Sequence, residues 1–395
     1  MPRNLVLCCD GTNNQFGPEN TNVVRLAQVL DRDPARQRLY YDPGVGTLPE
    51  PGVWTALGKT LSRWIELALG VGLLDKVGEA YSHLMDLWEP GDRVFLFGFS
   101  RGAYTVRVLA GLLYALGLLP RGNQNLVPYV LRLFKSVRGS DSDEPSAHWK
   151  LCREFRWTFA RTAPGATGER RFPVHFLGAW DTVSSVGWLW SPAHFPFTRT
   201  NPGIGTIRHA VSVDERRAFF RQNLMQAAGS QDLVEAWFPG VHSDVGGGYP
   251  DTPKDGGLWR PPFEWILGEA QKAGLLLDPA RFHEALQRTK PSPRPWTDRQ
   301  HESLTPAWWP AEFFPKLTWR PESSHRWPRL NLGRRRSIED HALIHRSTLL
   351  RIRDTAYAPP NLSTAFLDKV RGLTEVPEAL LYSASVDAGH QQPYG

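Results

Sequence analysis

A short apolar segment ends in a tight, glycine-bounded turn and continues into a second, longer apolar segment. Residues 93–97, Arg-Val-Phe-Leu-Phe, are rich in strand formers. Residues 98–102, Gly-Phe-Ser-Arg-Gly, follow at once, and residues 103–119 have the length and composition of a buried helix. Small residues on both sides of Ser100 suit a sharp strand-to-helix turn that presents its hydroxyl. An ordinary tight turn is the alternative interpretation.

Other apolar runs predict a doubly wound α/β fold with a mostly parallel sheet. Residues 5–9 and 173–179 have the continuous apolar character of strands buried on both faces, and residues 38–41 form another candidate strand. Helical spacing occurs at residues 22–30, 73–88 and 259–272. Strands that alternate with helices indicate a parallel sheet covered on both sides.

Composition argues against several classes of protein. The chain has 395 residues, and its 46 basic and 40 acidic residues give a mild net charge of +6 that is spread along the sequence. The triple Arg334-Arg335-Arg336 is typical of a solvated loop. Without zinc-finger spacing or a basic helix with interleaved aromatics, we expect no nucleic-acid partner. The charge is compatible with peripheral contact with an anionic membrane.

The cysteines and the N-terminal residues indicate the cellular compartment that we expect for the protein. Cys8 and Cys9 lie in an apolar run, and with Cys152 they make no disulfide framework, so we expect buried, unreactive thiols. The sequence shows no Sec signal peptide and no apolar stretch long enough to span a membrane. A cytoplasmic location is the default expectation, and export without a signal is compatible with it.

A serine nucleophile needs a base, a carboxylate that orients the base, and donors for the oxyanion. In folds of this kind the three residues follow the order Ser, Asp or Glu, His. Asp181 ends an apolar strand, and His242 follows in a glycine-rich loop, so we assign Ser100, Asp181 and His242 as the catalytic residues. The N–H of Arg101, at the start of the following helix, is predicted to face the oxyanion.

Alternatives for the base and the carboxylate remain open at this stage. His175 lies inside a predicted strand, and His209 and His345 lie on sequences that are compatible with helices. Asp214 and Asp244 are the alternative carboxylates.

The first strand leads into Asp10-Gly11-Thr12, at the same edge of the predicted sheet. The N–H of Gly11 or Thr12 is predicted to complete the oxyanion hole. The alternative is a simple turn in which Asp10 bonds its own backbone. Asp10 and Asp244 are assigned supporting roles. A metal shared by these two carboxylates is a weaker alternative, and we predict no metal.

These motifs together resemble one family. They are Cys9-Asp10-Gly11-Thr12, Gly98-Phe99-Ser100-Arg101-Gly102-Ala103, Trp180-Asp181-Thr182-Val183 and the long run from Trp237-Phe238-Pro239-Gly240-Val241-His242 to Ser243-Asp244-Val245-Gly246-Gly247-Gly248-Tyr249. The chain is similar, over about residues 3–275, to a bacterial and fungal family of uncharacterised α/β-hydrolases. That family includes the first class of type VI secretion lipase effectors.

The resemblance implies an α/β-hydrolase-like fold and a Ser-Asp-His triad, which falls on Ser100, Asp181 and His242. The effector members are phospholipases that attack glycerophospholipid esters, and they carry a large membrane-anchoring module that we do not find in this sequence. The resemblance is compatible with a secretion or immunity partner, which no motif in the chain identifies.

We therefore expect a serine hydrolase that cleaves carboxylic esters through an acyl-enzyme without a cofactor. A phospholipid or another long-chain acyl ester is the first choice of substrate. A short-chain or polyester esterase without membrane affinity is one alternative. A non-catalytic domain that binds lipid or protein on the same fold is another.

The predicted domain organisation follows the motifs. We expect a catalytic domain over residues 1–280 with a helical insertion at 54–88. A C-terminal extension over 281–395 is expected to hold terminal helices and a cap-like segment at 290–336, which is rich in proline, tryptophan and arginine. Within the insertion, residues 54–69 carry an apolar stripe opposite Lys59 and Arg63. This pattern is compatible with a core-facing helix or with a helix that lies on a membrane.

Overall fold

The computed structural model describes most of the chain. The described residues are 2–11, 19–44, 72–137, 147–161, 171–183, 187–188, 191–192, 195–250, 257–288, 292–313, 316–319 and 326–384. Its strands are β1 Asn4–Cys9, β2 Gln37–Asp42, β3 Arg93–Phe99, β4 Val174–Trp180, β5 Gly187–Trp188, β6 Ser191–Pro192, β7 Ile204–Ser212, β8 Asp232–Phe238, β9 Lys316–Trp319, β10 Arg326–Arg329, β11 Leu343–His345 and β12 Ala379–Leu381. Its α-helices are α1 Asn22–Val29, α2 Leu73–Leu87, α3 Arg101–Leu116, α4 Val127–Ser136, α5 Ala147–Phe159, α6 His242–Gly246, α7 Arg260–Lys272, α8 Pro279–Arg288, α9 Trp309–Glu312, α10 Arg346–Asp354 and α11 Thr364–Arg371.

Among these residues, eight strands form one sheet in the order β12-β11-β8-β7-β4-β3-β1-β2. Neighbouring strands are parallel except for β11 and β12. The strands β5 and β6 form a separate pair, as do β9 and β10. The predicted mostly parallel α/β sheet is confirmed.

Side chains of one strand enter two different cores, as a sheet covered on both faces requires. In β1, Leu5 and Leu7 pack with helices α2 and α3. Val6 and Cys8, which point the other way, pack with α1 and α7. Because both faces of this strand are buried, its sequence is apolar at every position from Leu5 to Cys9. Cys8 and Cys9 are buried as expected, and burial raises the pKa of both thiols.

Strand order changes direction at β1. The chain places β2 on one side of β1 and then returns to place β3 on the other. The carboxyl ends of strands at such a switch point form the crevice where open α/β sheets bind ligands. The turn after β3, which contains Ser100, lies at that edge.

The extension beyond residue 280 contributes to the same sheet. The strand β11 pairs parallel with β8, and β12 covers the edge of β11. Helices α10 and α11 pack on a third core that includes Trp237 and Ile344. The division at residue 280 stays a prediction, and the described part of the extension is continuous with the sheet.

The insertion at 54–88 is described in part. Its second piece is helix α2, close to the predicted 73–88, and it buries Val77, Tyr81 and Leu84. The apolar stripe at 54–69 lies outside the described residues. No helix in the part of the chain that the structure covers is long and apolar enough to cross a membrane.

The turn between β3 and α3 is as tight as its glycines suggest. Ser100 has φ 59° and ψ −121° and precedes α3 directly. A Cβ on Gly102 would lie 2.1 Å from the Cys9 carbonyl oxygen, and a Cβ on Gly98 would lie 2.5 Å from the Gly102 carbonyl oxygen. Because both neighbours are backbone atoms, neither collision is relieved by a rotamer change.

We expect Gly102→Ala to lower the free energy of unfolding by about 3 kcal/mol or more, because the added methyl group forces β1 and α3 apart. Urea unfolding followed by circular dichroism measures the change.

Gly268 supplies the matched control. It lies in helix α7, and a Cβ there would meet no atom within 4 Å. Gly268→Ala should stabilise the protein by about 0.5–1 kcal/mol through helix propensity. Equal effects of the two substitutions would contradict the packing described for the turn.

Candidate active site

The carboxyl ends of neighbouring parallel strands bring the predicted site residues to one edge. Strands β3 and β4 pair with Phe99 opposite Trp180, so Ser100 and Asp181 each follow the last paired residue. The Ser100 N–H donates to the Trp180 carbonyl oxygen at 3.0 Å. Asp181 has φ 41°, and its N–H donates to the Ala210 carbonyl oxygen of β7 at 2.7 Å. Both residues thus leave the sheet through strained turns at the same level.

His242 begins helix α6 just beyond β8. Its Nδ1 lies 2.5 Å from Asp181 Oδ2. Because a carboxylate can only accept, Nδ1 carries the shared hydrogen, and Nε2 of the neutral ring is left as an acceptor. The ring packs between Phe99 and Phe220, with centroid distances of 4.6 and 4.8 Å. Burial lowers the pKa of His242 although Asp181 opposes this, so the ring is neutral at pH 7.

Arg336 makes a second contact with the same carboxylate. Its two terminal nitrogens lie 2.5 Å from Oδ1 and 2.9 Å from Oδ2 of Asp181. The guanidinium also donates to Ser212 Oγ at 2.7 Å and to the Phe220 carbonyl oxygen. Burial raises the pKa of Asp181, but the charge of Arg336 and the hydrogen bond from His242 hold it well below its usual value. Asp181 is therefore ionised throughout the neutral range.

The sequence interpretation of Arg334-Arg335-Arg336 as a solvated loop was wrong for Arg336. The Arg336 side chain is 3% exposed, and Arg335 pairs with buried Asp214 at 2.8 Å. Arg334 alone is exposed. A local charge run carries no signal of this burial, because the partner of Arg336 lies 155 positions away.

Glu215 is a second buried residue that sequence analysis missed. Its carboxylate accepts the His242 N–H at 3.2 Å and the Ser303 hydroxyl at 2.9 Å. Burial raises the pKa of Glu215, but the paired Arg217 guanidinium brings it to about 2. Glu215 thus holds the backbone of His242, while Asp181 holds its imidazole.

A comparison with known protein families identifies the family to which the chain belongs. A family model described as "T6SS, Phospholipase effector Tle1-like, catalytic domain" matches residues 3–269. The chain belongs to this family. The match covers all four motifs that carry the resemblance seen in the sequence.

Individual relatives are more distant. The chain is 26% identical over 408 aligned residues to a Saccharomyces cerevisiae protein described as "Uncharacterized protein YEL023C", covering 71% of this chain and 59% of that protein. A crystal structure of an uncharacterized Pseudomonas aeruginosa protein has a TM-score of 0.43 at 21% identity, over 74% of this chain and 49% of the other. The structure of the Tle1 effector bound to the VgrG spike has a TM-score of 0.36 at 18% identity, over 65% and 52%. The chain thus spans about half to three fifths of the length of these relatives.

In this member of the family, Asp10, the residue that follows β1, has both of its carboxylate oxygens hydrogen-bonded. Its Oδ2 accepts the hydroxyl hydrogens of Thr21 at 2.6 Å and Tyr41 at 3.0 Å. Its Oδ1 accepts the Gly11 N–H at 2.7 Å. This is the bond that the turn interpretation predicts, and it occupies one of the two N–H groups, those of Gly11 and Thr12, that the oxyanion interpretation offers. Thr12 lies outside the described residues, and Arg101 begins helix α3 directly after Ser100.

Asp244 connects the histidine loop to the extension. It caps α6 by accepting the Val241 N–H at 3.0 Å, and its Oδ1 lies 2.6 Å from His301 Nδ1. Tyr249 stacks on the His301 ring with centroids 3.7 Å apart. Among the described residues, no group of three or more His, Cys, Asp or Glu side chains is arranged to hold a metal ion. Both supporting carboxylates therefore have structural hydrogen bonds as their observed role.

The alternative histidines have hydrogen-bond partners other than Asp181. His209 Nδ1 lies 2.7 Å from Glu235 Oε1, and its Nε2 accepts the Thr182 N–H at 3.1 Å. His345 accepts the Ser347 N–H as the N-cap of α10. His175, inside β4 as predicted, contacts the Ala273 carbonyl oxygen. The helical prediction for His209 and His345 was wrong: they lie on β7 and β11, where strand pairing overrides local helical spacing.

Asp214, the other alternative carboxylate, is also engaged elsewhere. It accepts the Gly240 N–H at 2.8 Å and the Tyr357 hydroxyl at 2.6 Å, in addition to pairing with Arg335. Burial raises the pKa of Asp214 above its ordinary value. Of the candidate acids and bases, Asp181 and His242 are the pair that the structure brings into contact.

We expect Arg336→Gln to lower the free energy of unfolding by about 3–5 kcal/mol, because it leaves the buried Asp181 charge without its cation. Urea unfolding monitored by tryptophan fluorescence checks this. Arg334→Gln, at the exposed arginine two positions earlier, should change stability by less than about 0.5 kcal/mol. Similar unfolding midpoints for both variants would show that the Arg336 contact is dispensable.

Proposed function

We propose that this domain hydrolyses the carboxylic esters of phospholipids through an acyl-enzyme on Ser100. The observation that carries the proposal is the buried hydrogen bond between Asp181 and His242, at the sheet edge where the strained turn presents Ser100. Membership of a phospholipase effector family supports lipid as the substrate class.

In the proposed mechanism, Ser100 Oγ attacks the ester carbonyl carbon while its hydrogen passes to His242 Nε2. The carbon–oxygen bond to the leaving alcohol breaks, and that alcohol takes the proton from Nε2. Water then attacks the acyl carbon and gives a proton to Nε2. The bond from the acyl carbon to Ser100 Oγ breaks, Oγ takes the proton back from Nε2, and the fatty acid leaves. The N–H of Arg101 and the N-terminus of α3 stabilise the oxyanion in both halves. These steps call on no cofactor.

Asp181 and Arg336 have distinct parts in this scheme. Asp181 fixes the tautomer of His242 and stabilises the imidazolium that forms during each proton transfer. Arg336 keeps Asp181 ionised and oriented. Burial lowers the pKa of His242, so the base works as a neutral ring.

The family description names the type VI secretion system. We extend the proposal to export by that route without a cleaved signal, with a secretion or immunity partner of the chain to be identified by pull-down from the producing cell.

We expect Ser100→Ala and His242→Ala each to reduce turnover by about 10⁴- to 10⁶-fold, because the two groups act as one unit. The measurement is fatty-acid release from phospholipid micelles beside hydrolysis of a short soluble ester. His345→Ala is the matched control, since this buried histidine caps a helix and should retain wild-type turnover if the variant folds.

Three results would count against this assignment. Loss of activity in His345→Ala with retention in His242→Ala would move the base. Activity on short esters that does not rise at the micellar transition would favour the alternative esterase. Absence of labelling of Ser100 by a fluorophosphonate probe would favour a non-catalytic binding domain.

The pH dependence follows from the state of His242. The base must be neutral, and burial lowers its pKa from the ordinary value of about 6.5. We therefore expect kcat/KM to be flat near pH 7 and to fall tenfold per unit at lower pH, with a midpoint below about 6.5. A pH profile on a soluble ester measures this, and an acid limb centred above pH 7 would contradict a neutral, desolvated base.

A further inference from the structure

An exposed apolar patch lies on the C-terminal extension, between residues 309 and 332. It consists of Trp309, Phe313, Leu330 and Leu332, whose exposed fractions are 38%, 60%, 38% and 47%. The Trp309 and Phe313 rings lie 6.4 Å apart. A Cβ built on Gly333 would lie 3.7 Å from the Trp309 ring, so the leucine segment and α9 are adjacent. Neighbouring large apolar side chains exposed in this way indicate an interaction surface.

A buried carboxylate, that of Glu312, holds the backbone around Leu332 in place. Glu312 is fully buried, and its Oε2 accepts the Asn331 side-chain N–H at 2.6 Å and the Gly333 N–H at 2.8 Å. Leu332, between these two anchored residues, has φ 50°. A leucine in the left-handed region is strained, and such strain persists only where the surroundings impose it. The fold therefore holds Leu332 outward rather than leaving it on a loose loop.

Aromatic contacts lead from this patch to the candidate active site. Trp308, next to Trp309, packs edge-on against Phe220 with centroids 5.4 Å apart, and Phe220 packs against His242 at 4.8 Å. The Arg216 guanidinium donates to the Gly333 carbonyl oxygen at 3.1 Å. A surface that binds the patch therefore contacts the same side of the molecule on which His242 lies.

Among the described residues, the exposed charges that flank the two leucines of the patch in the chain are positive. Arg329 and Arg334 flank the two leucines in the chain, and both side chains are exposed. The acidic neighbours are compensated: Glu302 pairs with Arg216 at 3.4 Å, and the Glu312 carboxylate receives backbone and amide N–H groups inside the fold. Apolar side chains flanked by cations match a surface with an apolar interior and anionic headgroups.

We propose that Trp309, Phe313, Leu330 and Leu332, with Arg329 and Arg334, form the surface by which this domain docks on an anionic phospholipid bilayer. This inference rests on the proposed function for its purpose, because docking places the lipid ester next to His242. The apolar side chains enter the acyl boundary, and the arginines contact the headgroups.

The test measures binding without turnover. The 395-residue chain with Ser100→Ala is floated with vesicles of phosphatidylglycerol and phosphatidylcholine, and with vesicles of phosphatidylcholine alone. Adding Phe313→Ser or Leu332→Ser should weaken binding to the anionic vesicles about tenfold or more, because each change removes an inserted apolar side chain. Binding by the parent should weaken as salt rises and should be lower on phosphatidylcholine alone.

Phe159→Ser is the matched control. Phe159 ends helix α5, is 43% exposed and packs on Phe155, remote from the patch in the chain. This variant should bind vesicles like the parent.

The double variant Arg329→Gln with Arg334→Gln tests the charged part of the surface without changing its apolar packing. It should reduce the salt dependence of vesicle binding and weaken that binding several-fold. Thermal unfolding of each variant verifies that it is folded.

Unchanged vesicle binding by both the apolar variants and the double arginine variant would overturn the docking proposal, as would an equal loss in Phe159→Ser. With Ser100 restored, the patch variants should keep wild-type rates on a short soluble ester while losing activity on vesicles. Failure of the wild type on every ester would overturn the proposed function alone, since vesicle binding is measured independently of hydrolysis.

Discussion

The site is organised around one buried negative charge, the carboxylate of Asp181. Three parts of the chain converge on it: the Ser212 N–H at the end of β7, the imidazole of His242 after β8, and the guanidinium of Arg336 from the extension. An ionised carboxylate is stable in such a place only when paired and hydrogen-bonded. The cost of burying Asp181 therefore ties the formation of its contact with His242 to the docking of the C-terminal segment.

Local sequence patterns were sufficient to predict the central part of the fold around Ser100. The apolar strand, the glycine-bounded turn and the apolar helix around Ser100 are each encoded in adjacent residues, and β3 and α3 follow them closely. The proximity of Asp181 and His242 was also predictable, because the carboxyl ends of parallel strands meet at one edge of the sheet.

What local patterns could not predict is set by distant partners. Arg336 has the sequence signature of a surface arginine, and Asp181, from a remote part of the chain, makes it a buried one. His209 lies in β7, which is paired on both sides by β4 and β8, so sheet formation overrides the helical spacing. Glu215 carried no motif at all, and its role depends on Arg217, Ser303 and the His242 backbone meeting around it.

The contact between Arg336 and Asp181 also limits how far the segment 331–336 can move away from the sheet. Glu312 anchors Asn331 and Gly333, and three residues later the chain places its guanidinium on Asp181. Swinging this segment away from the sheet would leave Asp181 without its cation, at a cost of about 3–5 kcal/mol. A lid that opens on every turnover should not bear such a cost. The segment 331–336 is therefore a fixed support for the Asp181–His242 pair, and under the proposed function a substrate would reach Ser100 past this segment rather than by displacing it.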